Sequence, residues 1–193
     1  MAEAPEVGRL APFSLPTVDR SHTNSGLELQ LVAAGSVPKA SIRLVLSLGT
    51  AYEAPGQTWI SRLVSDYLKE GAGDLNGTGL ADAVARMGGH LNVHVDDDTM
   101  TISSSVLAEY ASDFVALLGQ IVRQPAFPPA ELDRLKSDLQ RNLDLSKAQP
   151  GALAAATFRR ALYSGHPYGR LLTTPEVIDS FTAETAREFF EAR

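Results

Sequence analysis

The stretch that decides the fold runs Gly88-Gly89-His90-Leu91-Asn92-Val93-His94-Val95-Asp96-Asp97-Asp98-Thr99-Met100-Thr101-Ile102-Ser103-Ser104-Ser105-Val106. Leu91, Val93 and Val95 alternate with Asn92 and His94, and Met100, Ile102 and Val106 fall on one parity of the second segment. A period of two sends successive side chains to opposite faces of a strand, so residues 91–95 and 100–106 read as a hairpin with one buried face.

Toward the N-terminus, residues 80–87 read as a short helix stopped by Gly88-Gly89. Before it, Trp59, Ile60, Leu63, Val64, Tyr67 and Leu68 lie on a single helical face, between the Pro55-Gly56 break and Gly71-Ala72-Gly73. Earlier still, Leu27, Leu29 and Leu31 alternate with Glu28 and Gln30, and Ile42, Leu44, Leu46 and Leu48 alternate with Arg43 and Ser47. A turn at 35–39 is expected to join these into a first hairpin of half-buried strands. Residues 1–26, rich in Pro, Ser and Thr without periodicity, read as an extended lead-in to a domain spanning 27–193.

Toward the C-terminus the period changes to that of a helix. Tyr110, Phe114, Leu117, Leu118, Ile121 and Val122 form one stripe; Leu132, Leu135, Leu139 and Leu143 form another, with Pro125, Pro128 and Pro129 between them. Further helices are expected at 151–163 and 182–191. Strand pairs with long helices grouped after them predict an α+β domain, an antiparallel sheet covered on one face by helices.

Composition narrows the function. The 193 residues carry 44% hydrophobic and 21% charged side chains and a net charge of -6, enough for one sizeable core and without the basic excess that holds a nucleic-acid backbone. Cysteine is absent, so any metal has to be held by His, Asp or Glu. No apolar run approaches the ~20 residues of a membrane span. The opening Met1-Ala2-Glu3-Ala4-Pro5-Glu6 lacks the basic-then-apolar pattern of an export signal, which leaves cytoplasm and, with a signal removed, periplasm both open.

Four segments in this order carry a family resemblance: Gly49-Thr50-Ala51-Tyr52-Glu53 leading into a helix, Gly88-Gly89-His90-Leu91-Asn92-Val93 with Asp98-Thr99 after it, the helix at 129–146, and Gly165-His166-Pro167-Tyr168-Gly169. Each is weak alone; their order and spacing over more than a hundred residues resemble the pitrilysin/insulinase metallopeptidases from about Leu27 to Arg193. The resemblance implies the mitochondrial processing peptidase-like fold. It also implies zinc held by H-x-x-E-H on the first helix, where two His ligate and the Glu activates water, and by a second Glu on a later helix.

At the matching positions this chain reads Arg62-Leu63-Val64-Ser65-Asp66, so Arg62 and Asp66 stand for the two His and Ser65 for the catalytic Glu, while Asn142 stands for the last ligand. Arginine has no lone pair to offer a cation and keeps its proton near neutral pH. The expected result is a chain without catalytic residues and without zinc, the cofactor of active relatives. Arg62 and Asp66, four apart, are placed to pair with each other, and Asn142 is expected on the inward stripe of its helix, seven after Leu135 and three after Leu139.

Other donors give no substitute site. His90 and His94 share a strand face but lie roughly 13 Å apart along it, and His94 with Asp96, about 6.6 Å apart, makes half a site. The aspartates 96–98 read as a solvated turn whose side chains bond to nearby amides, and His166 as turn packing. No G-x-S-x-G elbow accompanies a serine nucleophile.

The resemblance assigns Asn92 and Val93 to the sheet edge on which active relatives add an extended peptide as a strand. It implies the inactive half or subunit of a two-part peptidase, binding extended peptides and pairing with a zinc-bearing partner. Two alternatives stand beside it: a scaffold of the respiratory-chain core-protein type, and a hydrolase with a rebuilt metal or acid-base site on Asp66, His94 or Asp96. Family proteins carry two such domains in tandem, so the chain is expected to be C-terminally incomplete, and an unpaired edge favours a homodimer.

Overall fold

Alternation in the sequence becomes a three-stranded antiparallel sheet of β3 (Lys39–Leu46), β7 (Met100–Leu107) and β6 (Asn92–Val95), in the order β3-β7-β6. The computed structural model describes residues 14–33 and 35–192. The register explains the pattern. Leu44 faces Ile102, Leu46 and Val95 both face Met100, and Val93 faces Ile102, so the apolar parity of each strand lies on one face. Met100, Ile102 and Val106 are fully buried there, whereas Lys39, Ser41, Arg43 and Val45 of β3 are exposed.

Helices α1 (Ile60–Tyr67) and α3 (Ala111–Arg123) pack directly on this sheet, and α2 (Gly77–Arg86), α4 (Leu132–Ala148), α5 (Pro150–Leu162), α6 (Pro175–Ser180) and α7 (Ala183–Glu191) are built around them. The predicted stripes are the buried ones: Leu63, Val64 and Tyr67 of α1, Phe114 and Ile121 of α3, and Leu135, Leu139 and Leu143 of α4 meet in one core with Phe190 of α7. Local chemistry sets the ends. Pro150 and Pro175 take the first helical turn, where a missing N–H costs nothing. Thr182 and Thr185 cap α7 reciprocally. Gly88 turns the chain out of α2 at φ 79°, a conformation other residues adopt at a cost. A two-stranded ribbon, β4 (Gly71–Ala72) with β5 (Leu75–Asn76), links α1 to α2.

Two expectations are corrected. The hairpin of residues 27–31 with 42–48 does not form: β2 (Glu28–Val32) pairs with β1 (Val18–His22), and β3 pairs with β7. Both readings satisfy the alternation, because period two says which residues are strand and not which strand is the neighbour. Leu27, Leu29 and Leu31, expected half-buried, are exposed. Contacts divide the chain into two units, Met1–Val37 and Pro38–Arg193; the first holds only the β1–β2 ribbon among its described residues, and two strands bury no face by themselves. Strand β1 lies inside the expected lead-in, while residues 1–13 fall outside the described residues.

Candidate functional site

Three of the four segments that carry the resemblance, through Thr50, Asp98-Thr99 and Pro167-Tyr168, contribute to one open cleft of about 480 Å³. Its walls are the start of α1 (Trp59, Arg62), the β6–β7 turn (Val95 to Thr99), Arg159 of α5, and Pro167, Tyr168, Arg170 and Leu171.

The β6–β7 turn is solvated at Asp96 and Asp98, as expected, but it is not loose. Its backbone is pinned by Thr50 and Ala51, whose N–H groups donate to the Asp96 and Asp97 carbonyls at 3.0 and 2.7 Å. Gly49 lies so close that a Cβ there would overlap the Asp97 carbonyl, which explains glycine at the head of the Gly-Thr-Ala-Tyr-Glu segment. The aspartates also differ from expectation: they bond to side chains rather than to nearby amides. Asp97 takes the Arg159 guanidinium and the Thr50 hydroxyl, Asp98 accepts from the Tyr168 hydroxyl at 2.6 Å, and Asp96 pairs with His94 Nε2 at 3.0 Å. That bond to Asp98 raises the Tyr168 pKa.

Helix α1 enters the cleft under constraint. Glu53, buried to 3% exposure, accepts from the backbone N–H and hydroxyl of Ser61 at 3.2 and 2.5 Å and so satisfies donors in the first turn. Burial raises its pKa above the ordinary 4.5, against the pull of Ser61, the Trp59 backbone and the Arg62 charge. Trp59, the residue before the helix, adopts φ 81°, an outlier for a bulky side chain that costs on the order of 1–3 kcal/mol. Its surroundings hold it there: it is 1% exposed and its Nε1 donates to the Leu171 carbonyl at 3.0 Å.

The four residues at the positions of the zinc motif are placed as follows. Arg62 does not pair with Asp66; its guanidinium stacks 4.3 Å over the Trp59 ring, and Asp66 is taken by Lys69 at 2.6 Å. The i,i+3 lysine wins because Arg62 gains a ring face in the cleft. Although Arg62 exposes surface to the cleft, the surrounding protein lowers its pKa from the ordinary value, opposed by the Glu53 and Asp66 charges. Ser65 is buried, with its hydroxyl turned back onto the Arg62 carbonyl at 2.8 Å. Asn142 is exposed, not inward: Leu135, Leu139 and Leu143 take the stripe in steps of four, and position 142 falls at its margin.

This set does not fit zinc. A guanidinium, a hydroxyl already donated to a carbonyl, an amide and a carboxylate bound to lysine offer no group of ligands. Among the described residues, no three His, Asp or Glu side chains gather where one ion would be held. His166 packs its turn, accepting from the Tyr168 N–H at 3.2 Å with the two rings 4.5 Å apart. Asn92 and Val93 sit on β6, which ends the sheet and packs beside α1. Sequence reasoning missed Trp59, Arg159 and Arg170 in the cleft. Arg170 donates to the Glu53 carbonyl across more than a hundred residues, a closure that no local pattern signals.

Relatives place this arrangement in a family. An uncharacterized zinc protease of Rickettsia bellii is 22% identical over 170 residues, covering 88% of this chain and 41% of that protein. A non-peptidase homolog of Helicobacter pylori is 23% identical over 155 residues, 80% of this chain and 36% of its own length. The crystal structure of a peptidase M16 inactive domain from Pseudomonas fluorescens superimposes with a TM-score of 0.81 at 22% identity, covering 90% of this chain and 43% of that one. This chain therefore spans less than half the length of each. Residues 31–176 match the family described as insulinase, peptidase family M16, and the chain belongs to that family.

Proposed function

We propose that this chain is the non-catalytic half of a two-part metallopeptidase of the insulinase family, holding an extended peptide along β6 through Asn92 and Val93 while a zinc-bearing partner supplies the chemistry. The observation that carries this reading is Arg62 lying against Trp59 close to β6, the strand that ends the sheet among the described residues; it supports a cation in place of a metal ligand and an edge on which a peptide can add. Relatives bearing the names non-peptidase homolog and inactive domain support it. Among the described residues no helix is long and apolar enough to cross a membrane.

The test is direct. The purified chain is stripped with chelator, given one equivalent of zinc at neutral pH, and assayed for bound metal and melting temperature. No retained zinc and no shift is the expected result. Stoichiometric binding with a rise of several degrees overturns the proposal in favour of a rebuilt metal site.

A further inference from the structure

Within the cleft, cations and anions are not equally committed. Asp97 is held by Arg159 and Thr50, Asp98 by Tyr168, and Asp96 by His94. Arg170 donates to a backbone carbonyl. Arg62 is different: its guanidinium lies against the Trp59 ring, with Asp66 occupied by Lys69 and Glu53 already bonded to Ser61. Arg62 is exposed and lines the cleft, and its guanidinium carbon lies 4.3 Å from the centroid of a buried indole whose backbone is itself strained into position.

We infer that the Arg62–Trp59 stack is a carboxylate-binding site, which selects extended peptides carrying an acidic group where the strand along β6 reaches the cleft. The inference rests on the peptide-holding role proposed above and names the class of peptide. Three features support it. A guanidinium presents paired N–H donors that match the two oxygens of a carboxylate, and among the described residues no carboxylate forms an ion pair with Arg62. Holding the guanidinium against the ring beforehand lowers the entropy lost on binding. Val95, the last residue of β6, lines the same cleft, so a peptide paired with β6 delivers a side chain to Arg62 or, where it pairs parallel, its own C-terminus.

Trp59 is the single tryptophan of the chain, so its emission reports this site without a label. Three probes are titrated into the full chain and into Arg62→Gln: an amidated alternating Val/Thr heptapeptide with a central Glu, its Gln twin, and a Gln twin with a free C-terminal carboxylate. Glutarate is titrated in parallel. An acidic probe is expected to bind about tenfold or more tightly than the amidated Gln peptide, as a charge-assisted hydrogen bond predicts, and the preference is expected to vanish in Arg62→Gln. The Glu peptide and the free C-terminus, compared, tell which carboxylate the site takes.

Equal binding of all three peptides by the native chain overturns the carboxylate site and leaves the edge reading intact. Binding of none, with glutarate still changing Trp59 emission in the native chain and not in Arg62→Gln, retains the site and overturns the edge reading. Binding of none and no response to glutarate overturns both. An unchanged melting temperature in Arg62→Gln separates lost recognition from lost fold.

Discussion

Helices α1 and α5 both send an arginine into the same cleft, and they are built on opposite terms. Of the eight residues of α1, six are buried, including Leu63, Val64 and Tyr67 at 0% exposure. Of the thirteen residues of α5, only Ala156 is buried, while Leu153, Phe158 and Leu162 stand exposed. Core packing sets the position of Arg62; polar ties from Arg159 to Asp97, and the Tyr163–Tyr168 ring contact, set the position of α5. One wall of the cleft is therefore as rigid as the core, and the other is as firm as a few hydrogen bonds.

That contrast is most easily broken at Leu63. Leu63→Ala removes a fully buried side chain from the core face of α1 and is expected to cost about 2–5 kcal/mol, read by urea unfolding. A loss well under 1 kcal/mol would show that α1 is not held by its core face. Arg159→Ala tests the other wall. The pair with Asp97 is partly exposed, 24% and 37%, so roughly 1 kcal/mol or less of global stability is at stake. Its sharper reading is local: amide exchange across α5 is expected to speed up while α1 stays protected. Smallest of all is Phe158→Ser, expected within about 0.5 kcal/mol of the parent because Phe158 is 65% exposed. A large loss there would mean that α5 is covered in solution by another copy, and concentration dependence of the melting temperature would reveal it.

Much of this was legible beforehand, for different reasons in different places. Strands β6 and β7 followed from alternation bounded by Gly88-Gly89 and an acidic turn, because a hairpin is a local object. The stripes on α1, α3 and α4 followed from a 3.6-residue period, and each is the buried face. The wrong partner for β2 shows the limit: β3 and β7 lie more than fifty residues apart in sequence, and pairing at that range leaves no periodic trace. Asn142 shows a finer limit, since one residue at the margin of a stripe is carried in or out by a small rotation of its helix.

By itself the sequence determined most of the strands and helices, though not β1, β4, β5 or α6, which family they compose, and that the H-x-x-E-H motif is absent; these are properties of residue identity and local period. Only the tertiary structure decided that Arg62 lies on Trp59 instead of reaching Asp66, and that the aspartate turn is clamped by Arg159, Tyr168 and Thr50. It alone revealed a strained tryptophan backbone under the exposed cation. The physical reason is that each of these contacts is a competition among several charged or aromatic partners, and the winner is set by which distant elements the core brings within hydrogen-bonding or van der Waals reach.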